Sequence, residues 1–244
     1  MRKKKSATLI VILVVLSFMI YWFYFSKPST FPVNERLVRE INHLFPEADA
    51  QMIRETISID DRHVVVPFIS NQDGYGLSYW VWKNHKWKVA MVDTKGQPKL
   101  WKINRKDPSS YYFVWNIHPK DQLNSIHFYL IRNRGYQVTD GNENYIPRVQ
   151  MEKRVSLQKK TYGVLRMPDE WSRFMDSVMK VESANQSNLL SQNMFSEHDM
   201  YFGWISYDQS GKETYPEHSV NGSRYSDINL NIDYLQILNS GELD

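Results

Sequence analysis

His63–Ser70 (HVVVPFIS), Leu77–Lys83 (LSYWVWK) and Trp87–Asp93 (WKVAMVD) decide how this chain folds. Each run is seven or eight residues long, dense in β-branched and aromatic side chains, and bounded by turn-forming residues, which predicts β-strands. PKLWKI (98–103), YYFVWNI (111–117) and SIHFYLIRN (125–133) continue the pattern. The connections Lys83–Asn84–His85–Lys86 and Asp93–Thr94–Lys95–Gly96 are of hairpin length, so the strands are expected to form an antiparallel meander. Pro67 lacks an N–H and points to an edge or a bulge in the first of them.

Helices are expected on either side of the meander. Leu37, Val38, Ile41, Leu44 and Phe45 fall on one apolar face behind Asn34 as N-cap. Pro46 can open a second helix, with Glu47 and Asp49 in its first turn and Met52, Ile53 and Ile57 facing inward. Pro168, Asp169 and Glu170 begin a third, lined by Trp171, Phe174, Met175, Val178 and Met179. Arg148–Arg166 reads as basic and irregular, and 183–198 as a polar loop. Met200–Tyr207 reads as a strand. Ile228, Leu230 and Ile232 alternate as a last strand, although Leu235, Ile237 and Leu238 also suit a helix. The fold class this predicts is α+β.

The N-terminus predicts location. Arg2, Lys3, Lys4 and Lys5 precede Ala7–Phe25 (ATLIVILVVLSFMIYWFYF), a run of 19 uncharged residues. As a helix it would be about 28 Å long, near the thickness of a bilayer's hydrocarbon layer. The basic cluster orients the N-terminus inward, and Tyr21–Phe25 would lie in the outer interfacial belt. A cleaved signal peptide is the competing reading, but FYFSKPSTFPV (23–33) offers few pairs of small residues for cleavage. The expected organisation is a cytoplasmic tail at 1–6, a transmembrane signal anchor at 7–25, a stalk at 26–33 and one extracytoplasmic domain at 34–244, with a possible subdivision near 160–167. In layout this is similar to many small Gram-positive membrane proteins, a likeness that transfers no residue role.

Charge narrows the partners. The net charge of +3 belongs mainly to the first five residues, and from Lys27 onward 26 basic side chains meet 27 acidic ones. A nucleic-acid binder carries its basic excess on the folded part, so nucleic acid is an unlikely partner here. Residues 27–166 hold 22 basic and 14 acidic side chains, whereas 167–244 hold 4 and 13. Two opposed surfaces or internal complementarity would both produce that split.

Chemistry is sparse. Without cysteine there is no thiolate nucleophile, cysteine-ligated zinc or iron–sulfur cluster. No phosphate-binding loop, dinucleotide fingerprint, nucleophile elbow or zincin helix is present, and no cofactor is expected. Seven histidines and many serines allow a Ser–His–acid set to be assembled on paper, which by itself carries no weight. The nearest approach to a metal or acid–base cluster is His198 and Asp199 with Glu217 and His218, across the turn at Asp208.

The stretch Lys83–Lys106 holds eight basic residues against Asp93 alone, interleaved with tryptophan. Trp80, Trp82, Lys86, Lys88, Lys99, Trp101 and Lys102 are the candidate binding residues, since an aromatic and cationic sheet face suits anionic headgroups or envelope polymers. The plainer reading puts these tryptophans in the core and the lysines in solvent. The functional expectation is a non-enzymatic, membrane-anchored binding domain for an envelope protein or an anionic wall or lipid polymer. The alternative is a cell-envelope hydrolase or transferase using the His198/His218 region.

Overall fold

The computed structural model describes residues 10–17, 19, 21, 22, 27–139, 142–185, 200–226 and 230–243. In chain order they form α1 (Asn34–Leu44), β1 (Ala50–Ile53), β2 (Ile57–Asp60), β3 (His63–Ser70), β4 (Tyr75–Lys83), β5 (Lys86–Asp93), β6 (Gly96–Lys102), β7 (Tyr111–Asn116) and β8 (Leu123–Arg132). There follow β9 (Gly135–Thr139), β10 (Asn142–Ile146), β11 (Val149–Ser156), β12 (Tyr162–Arg166), α2 (Asp169–Asn185), β13 (Met200–Asp208), β14 (Arg224–Ser226), β15 (Ile232–Tyr234) and β16 (Gln236–Ile237).

Three sheets are stacked face to face. The first runs β1-β3-β4-β5-β14, with β2 also on β3; the second runs β12-β7-β6-β15; the third runs β11-β8-β13-β16. Strand alternation sends neighbouring side chains into different layers. Trp80 and Val64 point with Leu37 and Ile41 of α1, whereas Tyr79 and Val65 meet Trp101 and Val114 of the second sheet. Leu100, Phe113 and Trp115 leave the other side of that sheet and pack on Phe128, Leu130 and Trp204, with Trp171 of α2. The outer face of the third sheet holds Tyr129, Ile131 and Ile205 under Leu238 of the C-terminal segment.

The α+β expectation is overturned: the chain is 46% strand and 24% helix, a mostly β protein. Pro46–Ala48 is a single 3-10 turn, because Asp49 takes a left-handed conformation (φ 42°) and the chain continues as β1 and β2. Asn42 secures that corner by bonding both the N–H and the carbonyl of Ala50. Arg148–Arg166, read as irregular, supplies β11 and β12. Each lies at the end of its sheet and has little apolar alternation to reveal it, since Glu152, Lys153 and Arg154 are charged.

The transmembrane helix expected at 7–25 is not among the elements found: among the described residues no helix is long and apolar enough to cross a membrane. Residues 10–17, 19, 21 and 22 are helical, and the rest of the 7–25 run lies outside the described residues.

Three local readings resolve in physical terms. Asn84 and His85 have φ of 55° and 58°, so the β4–β5 connection is a tight turn with two left-handed residues, matching the strand twist. Asp93–Gly96 is instead a corner that carries the chain from the first sheet to the second, since β5 pairs with β4 and β14 while β6 pairs with β7 and β15. Gly96 permits it: a Cβ there would lie 2.0 Å from the carbonyl oxygen of Asn116. Pro67 sits within a covered strand, but opposite the gap between β1 and β2, where the Arg54 N–H reaches its carbonyl at 2.9 Å. The missing donor is therefore never needed.

Candidate functional site

The residues singled out around Lys83–Lys106 do not form one exposed face. Trp80, Trp82 and Trp101 are buried, the first two beneath α1 and the last between the first and second sheets. The first sheet is covered on both sides, so alternation along β4 separates two buried faces rather than core from solvent. Lys99 is fully buried, with Nζ 2.8 Å from Asp93 Oδ2. Burial pulls the Lys99 pKa below its ordinary value, and the Asp93 charge opposes that shift. Lys102 pairs with Asp233 at 2.7 Å and lies over the ring of Tyr111. Here the acidic C-terminal part docks on the basic stretch: β14 pairs with β5 and β15 with β6.

Lys86 is exposed and Lys88 half-buried; with exposed Lys83 they mark the tip of the β4–β5 hairpin. Among the described residues, neither Lys83 nor Lys86 has an ion-pair partner. The N-terminal segment meets the protein at this tip. Trp22 stacks on His85 with ring centroids 6.0 Å apart, Trp87 donates its indole N–H to the Ser29 carbonyl at 2.9 Å, and Phe31 packs edge-on against Trp80 and Trp87. Ser29 and Phe31, within the stretch read as a short stalk, contact the domain at Trp80 and Trp87.

His198 and Asp199 lie outside the described residues. Glu217 is exposed. His218 is held by buried Asp121, with Nδ1 3.0 Å from Oδ1, beside the ring of His118. Ser219 donates its hydroxyl to the other Asp121 oxygen and accepts the His118 N–H. His118 is itself saturated: its Nδ1 accepts the Lys120 N–H at 3.0 Å, and its Nε2 faces the Asp73 carbonyl at 2.8 Å. No group of three or more metal-ligating side chains occurs among the described residues.

A different cluster sits on the outer face of the third sheet, in an open cleft of about 490 Å³. Ser125, His127 and Tyr129 alternate along β8, so all three share the face opposite buried Ile126, Phe128 and Leu130. The β8–β11 register sets Glu152 opposite Tyr129 and Arg154 opposite His127. On the other flank Tyr207 of β13 stands opposite Ser125, its ring centroid 4.3 Å from that of His127.

Glu152 is the hub. Its Oε1 lies 2.7 Å from His127 Nδ1 and accepts from Tyr129 at 3.2 Å and Arg154 Nε at 3.0 Å, while Oε2 accepts from the second Arg154 nitrogen at 3.2 Å. Burial opposes its ionisation, but the hydrogen bonds from Arg154 and Tyr129 outweigh that and hold its pKa below the ordinary value. Burial lowers the His127 pKa against the pull of Glu152, and burial together with the Glu152 charge raises that of Tyr129. An ionised carboxylate only accepts, so Nδ1 of neutral His127 carries the proton and Nε2 is left as an acceptor. The Ser125 hydroxyl lies 3.3 Å from it.

The sequence hinted at this face through polar residues alternating within an aromatic strand (S-x-H-x-Y at 125–129) and again at 150–154 (Q-x-E-x-R). Only the pairing register joins the two. The chain matches no protein family, no curated protein and no solved structure.

Proposed function

We propose that the chain is a membrane-attached binding protein, held at the membrane by residues 7–25 with the bulk of the chain on the extracytoplasmic side. Its β4–β5 hairpin engages phosphate-bearing anions there, either lipid headgroups or an envelope polymer. The observation that carries this reading is the contact of Trp22 with His85, which brings the end of the apolar run to a hairpin tip bearing Lys83 and Lys86, neither of them ion-paired among the described residues. Ser29 and Phe31 support it, because their docking on Trp87 leaves little slack between that run and the first sheet. The basic-then-apolar order of residues 2–25 favours the orientation. Lysines at an anionic surface each gain about 1 kcal/mol, an attraction that salt screens.

The test reconstitutes the full chain in phosphatidylcholine vesicles with and without phosphatidylglycerol and maps lysine acetylation by mass spectrometry. Lys83 and Lys86 are expected to react several-fold more slowly on the anionic vesicles, with high salt removing the difference. Protection on neutral vesicles only after adding a soluble polyphosphate would assign the hairpin to a polymer rather than to headgroups. Equal reactivity in all three conditions, or failure of the chain to stay with the vesicles, would overturn the reading.

A further inference from the structure

We propose that Ser125, His127 and Glu152 form a nucleophilic hydrolase site for acyl esters, on the third sheet, at the far end of the stack from the sheet that carries the β4–β5 hairpin. The proposal is independent of the membrane reading. Three relationships carry it. Glu152 fixes the tautomer of His127 through the 2.7 Å contact at Nδ1. The opposite ring nitrogen faces the Ser125 hydroxyl at 3.3 Å. All three side chains line one open cleft, so a substrate can reach the hydroxyl. Among the described residues three further histidines contact carboxylates, namely His63, His118 and His218, and none of these has a described serine hydroxyl bonded to its ring.

The arrangement is that of a serine activated by a base which is itself oriented by an acid. Ser125 Oγ attacks the ester carbonyl carbon while its proton passes to His127 Nε2. The carbonyl oxygen takes up the negative charge of the tetrahedral intermediate. Collapse of that intermediate breaks the bond to the alcohol, which leaves with the proton from His127. Water, deprotonated in turn by His127, attacks the acyl–Ser125 carbonyl, and the carboxylic acid departs as the serine is restored. Ionised Glu152 stabilises the imidazolium in both halves. Tyr129 and Arg154 are positioning residues for that carboxylate, through hydrogen bonds of 3.2 Å and 3.0 Å to Oε1. The lowered His127 pKa keeps its ring neutral, and so able to act as a base, at neutral pH.

The test treats the full chain, in detergent micelles, with a biotinylated fluorophosphonate, which phosphonylates an activated serine and releases fluoride. The label is expected on Ser125, located by peptide mass, to vanish in Ser125→Ala, and to form at least ten-fold more slowly in His127→Gln. Its rate should rise with pH to a plateau whose midpoint lies below that of an ordinary histidine. Glu152→Gln should slow labelling while near-ultraviolet circular dichroism stays native. A slow turnover of 4-nitrophenyl acetate should follow the same ranking. Absence of label from the folded wild-type chain, or labelling whose rate ignores His127→Gln and pH, would overturn the proposal. Should a variant fail to fold, the pH profile and the position of the label on the wild-type chain still decide.

Discussion

Lys99 reaches Asp93 across the junction of two sheets, its Nζ 2.8 Å from Oδ2 with both side chains shielded from water. Asp93 opens the Asp93–Gly96 corner and Lys99 lies just beyond it in β6, and Tyr234 adds a hydroxyl 3.2 Å from the same carboxylate oxygen. It ties together β5, β6 and the acidic C-terminal segment. A buried ion pair is weak evidence of net stability, because desolvation offsets much of the attraction, yet breaking it leaves one charge stranded.

Asp93→Asn is therefore expected to destabilise the fold by about 3–5 kcal/mol. Adding Lys99→Met should restore much of that loss, since the double variant carries no uncompensated charge. Denaturant unfolding of the two single variants and the double one checks this. A double variant no better than Asp93→Asn alone would show that the pairing energy lies elsewhere.

His118 gives the fold a pH dependence of definite sign. Burial holds its pKa below the ordinary value of 6.5, against the pull of Asp73. The unfolded chain thus takes up a proton before the folded one does, and stability falls as pH drops below 6.5 towards the folded pKa. Protonation would also remove the Nδ1 acceptor of the Lys120 N–H. His127 is shifted in the same direction by burial and adds to the slope. The melting temperature is expected to be level above about pH 7.5 and to decline through pH 6, with a shallower slope in His127→Gln. Asp60, Asp73 and Glu152 have lowered pKa values, so their contribution is lost only at more acidic pH, below the ordinary carboxylate range.

Two glycines should behave differently. Gly96→Ala places a methyl group against the backbone of Asn116 and is expected at the upper end of the ~1–3 kcal/mol cost of an overpacked site, or beyond it. Gly211 has open space around its Cβ position but a φ of +78°, so Gly211→Ala should cost only about 1 kcal/mol. Paired unfolding curves separate a steric cause from a conformational one.

Phe31 joins the N-terminal segment to the domain. Phe31→Ala removes two edge-to-face contacts, to Trp80 and Trp87, from a half-buried position. A cost of about 2 kcal/mol is expected, below the ~3–5 of a fully buried phenylalanine. Amide hydrogen exchange at Ser29 and Thr30 should then be faster than in the wild type. Unchanged exchange would show that Trp87 and Ser29 hold the segment without Phe31.

Strand identity was legible from residue 63 to 133 because apolar and β-branched runs ended in turn chemistry, and β3 to β8 lie where those runs lie. The helix at Asp169–Asn185 was legible from its proline, its acidic first turn and the spacing of Trp171 and Met175. Strands β11 and β12 were not, since Glu152, Lys153 and Arg154 look out from a sheet edge, where periodicity carries little apolar signal. The stretch after Pro46 misled because its helical spacing is real, while a left-handed Asp49 and the grip of Asn42 on Ala50 turn it into sheet.

The sequence by itself determined strands β3 to β8 and β13, the tight turn at Asn84–His85, the uneven charge and the apolar N-terminal run, all of which depend on residues near one another in the chain. Tertiary structure alone decided that the first sheet is covered on both faces, which buries Trp80, Trp82, Trp101 and Lys99 and removes them from the surface. It also decided which of many serines and histidines meet. Ser125 and His127 are two residues apart, but Glu152 reaches them only through the register of β8 against β11. Register is fixed by side-chain packing across the sheet and by the covered face beneath it, which no local pattern records.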